Sequence, residues 1–516
     1  MTERTTRAPW WSTAAGEARA LLARSAAARR IAAAALLLPA IWHVGTLATV
    51  LAARFPCPLD LDYLENAHVY HAWRIARHLP IYGDPSGGFA TFPYPPLYWV
   101  SLAAAAKLLG FTDQAGRAVS IASFAVAAAL LAWRVARAAP TRSTGVAFAA
   151  VALGGICAGY PTSDASYDWA RSDTMAMLLA IVAAALARDG RLPWGRACAT
   201  GLALAASIYT KQSGVVFAAW LVAFCFFRDR ASGLRLAAVT GLACAIPFAV
   251  LETATHGWFL VWLLYPRHQP LNPWWESLGA LGTFVLRAPF LPALPWVVSA
   301  LRKRGWLRPT TACWAGMLLV SAAGGALASV KQFCCHNVWI PELLLAWPVA
   351  LMAAGDWLRG MSPEDTRARG LVWSLLAASG AALALLAYDP RPLVPSVDRW
   401  VAAERLDQVV RGLEGGVVVT TVPMVGVGPG RTAEQPVLAT YEDARSGGLQ
   451  VDYVAALVAS GARWVVTTDR YTGTDRAPEP RMAGSFVRER TFDFDVHSLA
   501  SWDRPKNVVL WRRAVP

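Results

Sequence analysis

Three carboxylates lie within a short segment near the start of the chain, at Asp60, Asp62 and Glu65. They follow the first long apolar segment, residues 31–53, in a chain that is otherwise mostly apolar. Acidic groups beside a membrane cost free energy unless they face water or a cavity. A carboxylate within hydrogen-bond reach can take the proton of a weak nucleophile, such as a sugar or protein hydroxyl. These three residues are therefore candidate catalytic residues.

The same carboxylates also have a simpler interpretation. Asp62 fits the cap position of the helix that follows, with Glu65 as the partner three residues later. All three could equally be solvated charges in a loop. The residues alone do not decide between a catalytic and a structural role.

A second polar cluster lies between two apolar segments, in the sequence TSDASYDWARSD. It contains Asp164, Asp168, Arg171 and Asp173. A carboxylate at the start of a helix is favoured by the helix dipole, which is sufficient reason for Asp173 to be there. Taken alone, this cluster is more typical of a helix start than of a site.

Cationic side chains interrupt several other apolar segments. Lys211 lies in IYTKQSG, Lys331 in VKQFCCHN and Arg267 in YPRHQP. Each could be an ordinary cation that reaches the membrane interface. A phosphate anion at the interface would need such partners, arginine for two-pronged contacts and lysine as a point charge. The candidate anion-binding residues are Lys211, Lys331, Arg267 and Arg171.

The composition indicates a polytopic α-helical membrane protein. The chain has 516 residues, of which 56% are hydrophobic and 16% charged, whereas soluble domains average about 25% charged residues. Apolar runs of roughly 17–25 residues, long enough to cross a bilayer, recur over the first 390 positions. The net charge of +14 comes largely from Arg and Lys clusters between these runs. That distribution is typical of membrane insertion rather than of nucleic-acid binding.

Loop charges predict about 11 transmembrane helices, with residues 1–30 in the cytoplasm. Residues 31–53 are expected to form an uncleaved first span, and residues 54–116 the first outer loop. Within that loop we expect an interfacial helix over 66–78, and Pro95 to Gly110 is too short to span comfortably. All candidate site residues then lie on the outer face. The remaining predicted spans are 117–137, 144–160, 174–187, 197–210, 213–227, 236–251, 278–300, 310–329, 338–355 and 370–387.

The composition changes after the membrane domain, residues 31–388. Residues 389–516 resemble a soluble domain, and we predict a small extracytoplasmic α/β domain there. Its nearly continuous apolar strands suggest a sheet covered on both faces. The predicted strands are 417–422, 463–468 and 507–512, and the predicted helices are 397–413 and 451–460.

Several motifs together resemble the GT-C class of polyprenyl-phosphate-dependent glycosyltransferases. An acidic first outer loop is followed by LPIYG at Leu79–Gly83 and by YPPLYW at Tyr94–Trp99. The segments WARSDTMAMLL, IYTKQSG and VKQFCCHNVWIPELLLAWP follow in the family's order. The resemblance covers most of residues 31–360. It is nearest to the protein O-mannosyltransferases and the lipid A aminoarabinose transferases.

The resemblance implies a sugar donor carried on polyprenyl phosphate and transfer with inversion on the outer face of a bacterial inner membrane. The acceptor would be a glycan, lipid or protein. Glu65 matches the family's acidic motif, but Leu64 precedes it and Asp62 lies two positions earlier, so either acid could be the base. Lys211 matches a family lysine near the donor phosphate. The motifs and the second polar cluster supply the candidate substrate-binding residues Asp173, Asp168, His336, Asn337 and Tyr94.

The sequence contains no strong metal motif. Neither an HExxH segment nor a close pair of cysteine or histidine ligands occurs, so no cofactor is predicted, although a divalent cation between the outer carboxylates stays open. A disulfide from Cys57 to Cys334 or Cys335 is conceivable in an oxidising compartment. The main alternative function is a multi-span transporter or lipid-linked sugar flippase. Against it, the chain shows no repeated halves with matching broken helices.

Overall fold

The structure is a computed structural model of the chain. It describes residues 26–514 with the exception of a set of short internal segments. These segments are 86–87, 276–277, 280–281, 283–300, 306, 332–334, 363–364, 421, 429–430, 432–433, 469–481, 483 and 496–506.

The described part of the chain is mostly helical. Its α-helices are α1 Ala26–Arg54, α2 Glu65–Ala76, α3 Leu97–Leu109, α4 Asp113–Ala138, α5 Arg142–Ala158, α6 Asp173–Ala187, α7 Trp194–Thr210, α8 Gly214–Arg228, α9 Arg230–Ala254, α10 Trp258–Leu264, α11 Pro309–Ser329, α12 Ile340–Arg359, α13 Thr366–Leu385, α14 Val397–Arg411, α15 Leu438–Ser446 and α16 Tyr453–Ala459. Single turns of 3₁₀ helix occur at Tyr160–Ser163, Tyr265–His268, His336–Trp339, Arg391–Leu393 and Pro423–Gly426.

Seven helical segments in the described part are long and apolar enough to cross a bilayer, and the chain is an integral membrane protein. Large apolar side chains such as Trp42 on α1 and Ile246 on α9 are more than half exposed, as expected for surfaces that face lipid. The predicted spans other than 278–300 coincide with helices to within one or two turns. Most of residues 278–300 lies outside the described residues. The seven segments are Arg30–Arg54, Asp113–Ala138, Arg142–Ser163, Arg230–Ala254, Pro309–Ser329, His336–Arg359 and Thr366–Leu385.

The expected interfacial helix is present, and most of its length is buried inside the protein. In α2, every residue from Glu65 to Arg74 is buried. The helix packs against α3 and α4 on one side and against the turn at Pro423–Gly426 on the other. The C-terminal region thus covers part of this helix, and its position relative to the membrane stays a prediction.

The C-terminal region contains a four-stranded sheet in the order β1-β2-β4-β3. The first pair is parallel and the other two are antiparallel. Three strands lie where the apolar runs predicted them, but β3 was missed because its sequence, FVRERTFDFD, carries alternating charges. The strands are β1 Val417–Val419, β2 Trp464–Thr468, β3 Phe486–Asp495 and β4 Asn507–Arg513.

The sheet region is attached directly to the acidic first loop. The Arg399 guanidinium donates to the carbonyl of Asp60 at 2.9 Å. The backbone N–H of Met424 donates to the Asn66 side chain at 2.7 Å. Apolar residues of the sheet and of α2 belong to one buried cluster. The C-terminal region therefore holds the loop that carries the candidate catalytic acids.

Candidate functional site

A cavity of about 460 Å³ opens among the loops that connect the helices at one end of the bundle. Its wall is formed by the segment before α3, the loop before α6, the α7–α8 turn and the connection from α11 to α12. The polar and aromatic residues that line it include Tyr63, Phe92, Tyr94, Arg171, Lys211, Gln212, Ser213, Gln269, Lys331, Cys335 and Asn337.

Three cations from three different loops line this cavity. Arg171 lies just before α6, Lys211 in the turn between α7 and α8, and Lys331 just after α11. The ammonium of Lys331 donates to the carbonyl of Pro266 at 2.8 Å. The ammonium of Lys211 lies 5.9 Å from the centre of the Tyr94 ring. The loops thus gather positive charge that is dispersed along the sequence.

Two carboxylates hold the first two of these cations. Asp62 contacts Arg171 at 3.1 Å, and Asp62 itself is fully buried. Asp173 contacts Lys211 at 2.5 Å and lies 3.9 Å from Arg171. The Asn337 side chain donates to Asp173 at 3.0 Å. An ionic chain therefore runs from the first acidic loop to the cations of the cavity.

The ionic chain keeps Lys211 charged. Burial disfavours the charged form of an amine, but the neighbouring Asp173 carboxylate outweighs this effect. The pKa of Lys211 is accordingly raised above its ordinary value. A permanently charged lysine at the cavity wall suits an anionic ligand.

Glu65 belongs to a separate and closed network. Its carboxylate accepts from the backbone N–H groups of Leu61 at 2.6 Å and Ala170 at 2.7 Å. The Arg117 guanidinium donates to both of its oxygens, at 3.2 and 2.7 Å. Glu65 and Arg117 are both fully buried. With four donors already in place, this carboxylate is occupied in holding the loop to α4.

Asp60 lies beside the closed network and is the third acid of the predicted set. Its side chain accepts from the backbone N–H of Asn66 at 3.2 Å. Burial, together with the nearby carboxylates of Asp113 and Glu65, raises the pKa of Asp60 well above its ordinary value. A buried acid in this position favours its neutral form.

The best candidate cation site in the described part of the chain is this same group of acids. Carboxylate oxygens of Asp60, Glu65 and Asp113 lie within 4.8 Å of one another. The Arg117 guanidinium, however, already neutralises Glu65 and lies 3.8 Å from Asp113. Because a bound divalent ion would have to share this site with a buried arginine, these residues do not fit a metal centre.

Seven of the twelve predicted site residues do not line the cavity. Four of them, Asp60, Asp62, Glu65 and Asp173, are the acids described above, and the other three lie elsewhere. Asp168 is fully buried, where it contacts Arg54 at 2.8 Å and accepts from the Tyr160 hydroxyl. Arg267 is exposed, and its guanidinium contacts His268. His336 is half-exposed and contacts Asp164 at 3.1 Å.

The structure also tests one of the two predicted cysteine pairings. Cys57 and Cys335 are free cysteines, so no disulfide joins them. Cys334, the other predicted partner, lies outside the described residues.

Sequence reasoning missed Arg117, which holds Glu65. The signal was present as an arginine at the start of a predicted span, four residues after Asp113. The cavity residues Tyr63, Phe92 and Gln212 were also missed. They carried no signal, because aromatic and amide side chains beside apolar segments are common.

No protein-family model matches the chain, and no curated protein matches it. Among solved structures, ArnT from Cupriavidus metallidurans in the apo state is 15% identical with a TM-score of 0.56, and the match covers 91% of this chain and 97% of that one. The same protein bound to undecaprenyl phosphate is 13% identical with a TM-score of 0.52, over the same shares. The oligosaccharyltransferase from Archaeoglobus fulgidus in the apo form is less similar, at 11% identity and a TM-score of 0.44 over 83% and 69%. The chain has the GT-C fold that its sequence motifs predicted.

Proposed function

We propose that the protein transfers a sugar from a polyprenyl-phosphate donor to a hydroxyl acceptor on the outer face of a bacterial inner membrane. The observation that carries this proposal is the convergence of Arg171, Lys211 and Lys331 on one cavity between apolar helices. Cations at a bilayer edge suit a phosphate that bears a lipid tail. The fold supports the proposal, because the similar ArnT structure was determined with undecaprenyl phosphate bound.

The cavity cations would stabilise the leaving group. Asp62 and Asp173 each neutralise one of them, whereas Lys331 contacts a backbone carbonyl in the free protein. Departure of polyprenyl phosphate turns a phosphodiester monoanion into a phosphomonoester that gains negative charge. Preorganised positive groups at the point where charge develops are among the largest sources of catalysis.

Asp62 is the better candidate for the base. It belongs to the ionic chain of the cavity through Arg171, whereas the Glu65 carboxylate is saturated by four donors. Asp62 is buried in this structure, so the acceptor must displace part of the Arg171 contact to reach it. Arg171 would then turn toward the phosphate, where its guanidinium can make two parallel contacts.

The reaction would be a single displacement. The acceptor oxygen forms a bond to the anomeric carbon while the bond from that carbon to the phosphate oxygen breaks. The electron pair of the broken bond leaves with polyprenyl phosphate, and the hydroxyl proton passes to Asp62. Attack opposite the leaving group inverts the anomeric carbon. The extracytoplasmic C-terminal domain would help to position the glycan, lipid or protein acceptor.

Purified protein in proteoliposomes with labelled polyprenyl-phosphate sugars tests the function. We expect sugar transfer to an envelope acceptor by the wild type and a large loss in Lys211→Gln. Lys107→Gln is the matched control, since Lys107 is exposed on α3 and lies away from the cavity.

The same vesicles separate the enzyme from the alternative function. Movement of the labelled lipid between leaflets without transfer to any acceptor would establish a flippase and overturn the proposal. Equal rates of sugar transfer by the wild type and Lys211→Gln would show that this cavity is not the donor site.

A further inference from the structure

The position of Lys331 in the cavity depends on a neighbouring loop. Its ammonium is held by the carbonyl of Pro266, at 2.8 Å. The backbone of Lys331 also pairs with Leu271 in an isolated antiparallel bridge. The Asn272 side chain donates to the carbonyl of Lys331 at 3.0 Å. The loop 265–272 therefore fixes both the backbone and the charged end of this lysine.

The other side of this loop faces the C-terminal domain. Tyr265, which precedes Pro266, is 3% exposed. Its ring packs edge-on against Trp262, with ring centres 5.6 Å apart. The Trp262 indole N–H donates in turn to the carbonyl of Gly83 at 2.8 Å. Trp262 therefore holds the Tyr265 ring from one side.

Gly447, just after α15, packs against the Tyr265 ring. A β-carbon at position 447 would lie 1.9 Å from Cδ2 of Tyr265. Real side chains do not approach that closely, so only glycine fits against the ring as it stands. The backbone of Gly447 is not in the left-handed region, so alanine would be strained by this contact alone.

We propose that Gly447 is a positioning residue through which the C-terminal domain sets the place of Lys331 in the cavity. The contact runs from Gly447 to the Tyr265 ring, along the backbone to Pro266, and through its carbonyl to the Lys331 ammonium. The inference rests on the proposed function, in which Lys331 contacts the donor phosphate. It gives the C-terminal domain a role in holding the lipid-phosphate site, beyond any role in acceptor binding.

The test compares binding of undecaprenyl phosphate to full-length variants in detergent. Gly447→Ala should push the Tyr265 loop and weaken binding by about tenfold, comparable to Lys331→Gln, as expected for the loss of one charge-assisted contact. The double variant Gly447→Ala/Lys331→Gln should bind no more weakly than Lys331→Gln alone. Gly428→Ala is the matched control, because a β-carbon there would lie 3.8 Å from its nearest neighbour.

A rescue experiment separates positioning from general damage to the domain. Combining Gly447→Ala with Tyr265→Leu removes the ring that the new methyl group meets. The effect of Gly447→Ala should therefore be smaller in the Tyr265→Leu background than in the wild type.

The outcomes distinguish this inference from the proposed function. If Lys331→Gln binds like the wild type, the phosphate role of Lys331 is wrong. If Lys331→Gln weakens binding and Gly447→Ala does not, the coupling alone is wrong. Additive losses in Gly447→Ala/Lys331→Gln would also overturn the coupling, because the two changes would then act independently.

Discussion

Two networks of acids and cations lie side by side in this protein. They differ in whether their charged side chains reach a cavity where a ligand could contact them. In one, Glu65 accepts four hydrogen bonds and pairs with a fully buried Arg117. In the other, Asp62 holds Arg171 at the wall of a cavity that Lys211 also lines. The first network closes on itself and fastens a loop to a helix. The second ends at a cavity, where a ligand can exchange for protein contacts.

The comparison shows why charge alone does not indicate which acid is connected to the cavity. Both carboxylates are buried beside an arginine, and they are only three residues apart in sequence. The two carboxylates differ in the number of hydrogen bonds that each already accepts and in whether their arginine lines the cavity. Removing one partner of a buried ion pair is costly, and a closed pair contributes mainly to holding the structure together.

The largest expected effect is on turnover, and it comes from a substitution in the network that contains Asp62. Asp62→Asn keeps the shape of the side chain but removes the proposed base, so turnover should fall by about 10²–10⁴-fold. Initial rates of sugar transfer in proteoliposomes measure it. Asp407→Asn, at an exposed ion pair on α14, is the control and should retain the wild-type rate. Undiminished turnover in Asp62→Asn would contradict the assignment of the base.

Glu65 should behave in the opposite way. Glu65→Gln removes the nearer of the two carboxylates beside the buried Arg117 and leaves only Asp113, at 3.8 Å, so it should cost about 3 kcal/mol of stability. Thermal unfolding of the detergent-solubilised protein measures the loss. Because this variant risks failing to fold, Glu65→Asp is its companion: it keeps a negative charge beside Arg117 and should lose less stability than Glu65→Gln. A stable Glu65→Gln variant that lacks all transfer would reverse the roles of the two acids.

The cavity side should also respond to the loss of one cation. Lys331→Gln removes the lysine that no carboxylate neutralises among the described cavity contacts, and binding of undecaprenyl phosphate should weaken by roughly tenfold. The effect should shrink at high salt, because part of the attraction is screened. Lys107→Gln serves as the control for a lost surface charge. If the affinity for undecaprenyl phosphate changed neither in Lys331→Gln nor with salt, the phosphate would not bind beside Lys331.

The smallest effect concerns Asp60, at the edge of the closed network. Its folded-state pKa is raised by burial and by Asp113 and Glu65, so its contribution to stability is fully present below its unfolded value of about 3.8. That contribution is lost as the pH rises from there through the folded-state pKa. Asp60→Asn cannot ionise, so its melting temperature should fall less with rising pH than that of the wild type. If the melting temperatures of Asp60→Asn and the wild type changed equally with pH, the folded-state pKa of Asp60 would not be raised.

Much of the membrane domain could be predicted from composition, because apolar length and loop charge follow directly from the bilayer. Of the residues that gather at the cavity, Lys211 was predicted from its place in an apolar segment, and Asn337 from a motif that resembles a known family. The choice between Asp62 and Glu65 was beyond the sequence, since it depends on Arg117, which follows Glu65 by 52 positions and meets it only in the fold. Strand β3 was not predicted for a different reason. Its many charged side chains obscure the alternation of apolar and polar residues that is typical of a strand.

The most direct test is an experimental structure of the protein with undecaprenyl phosphate. The account predicts phosphate density in the 460 Å³ cavity, in contact with Lys211 and Lys331 and with Arg171 turned away from Asp62. Phosphate density elsewhere, with Lys211 still paired only to Asp173, would contradict the central claim that this cavity binds the lipid phosphate.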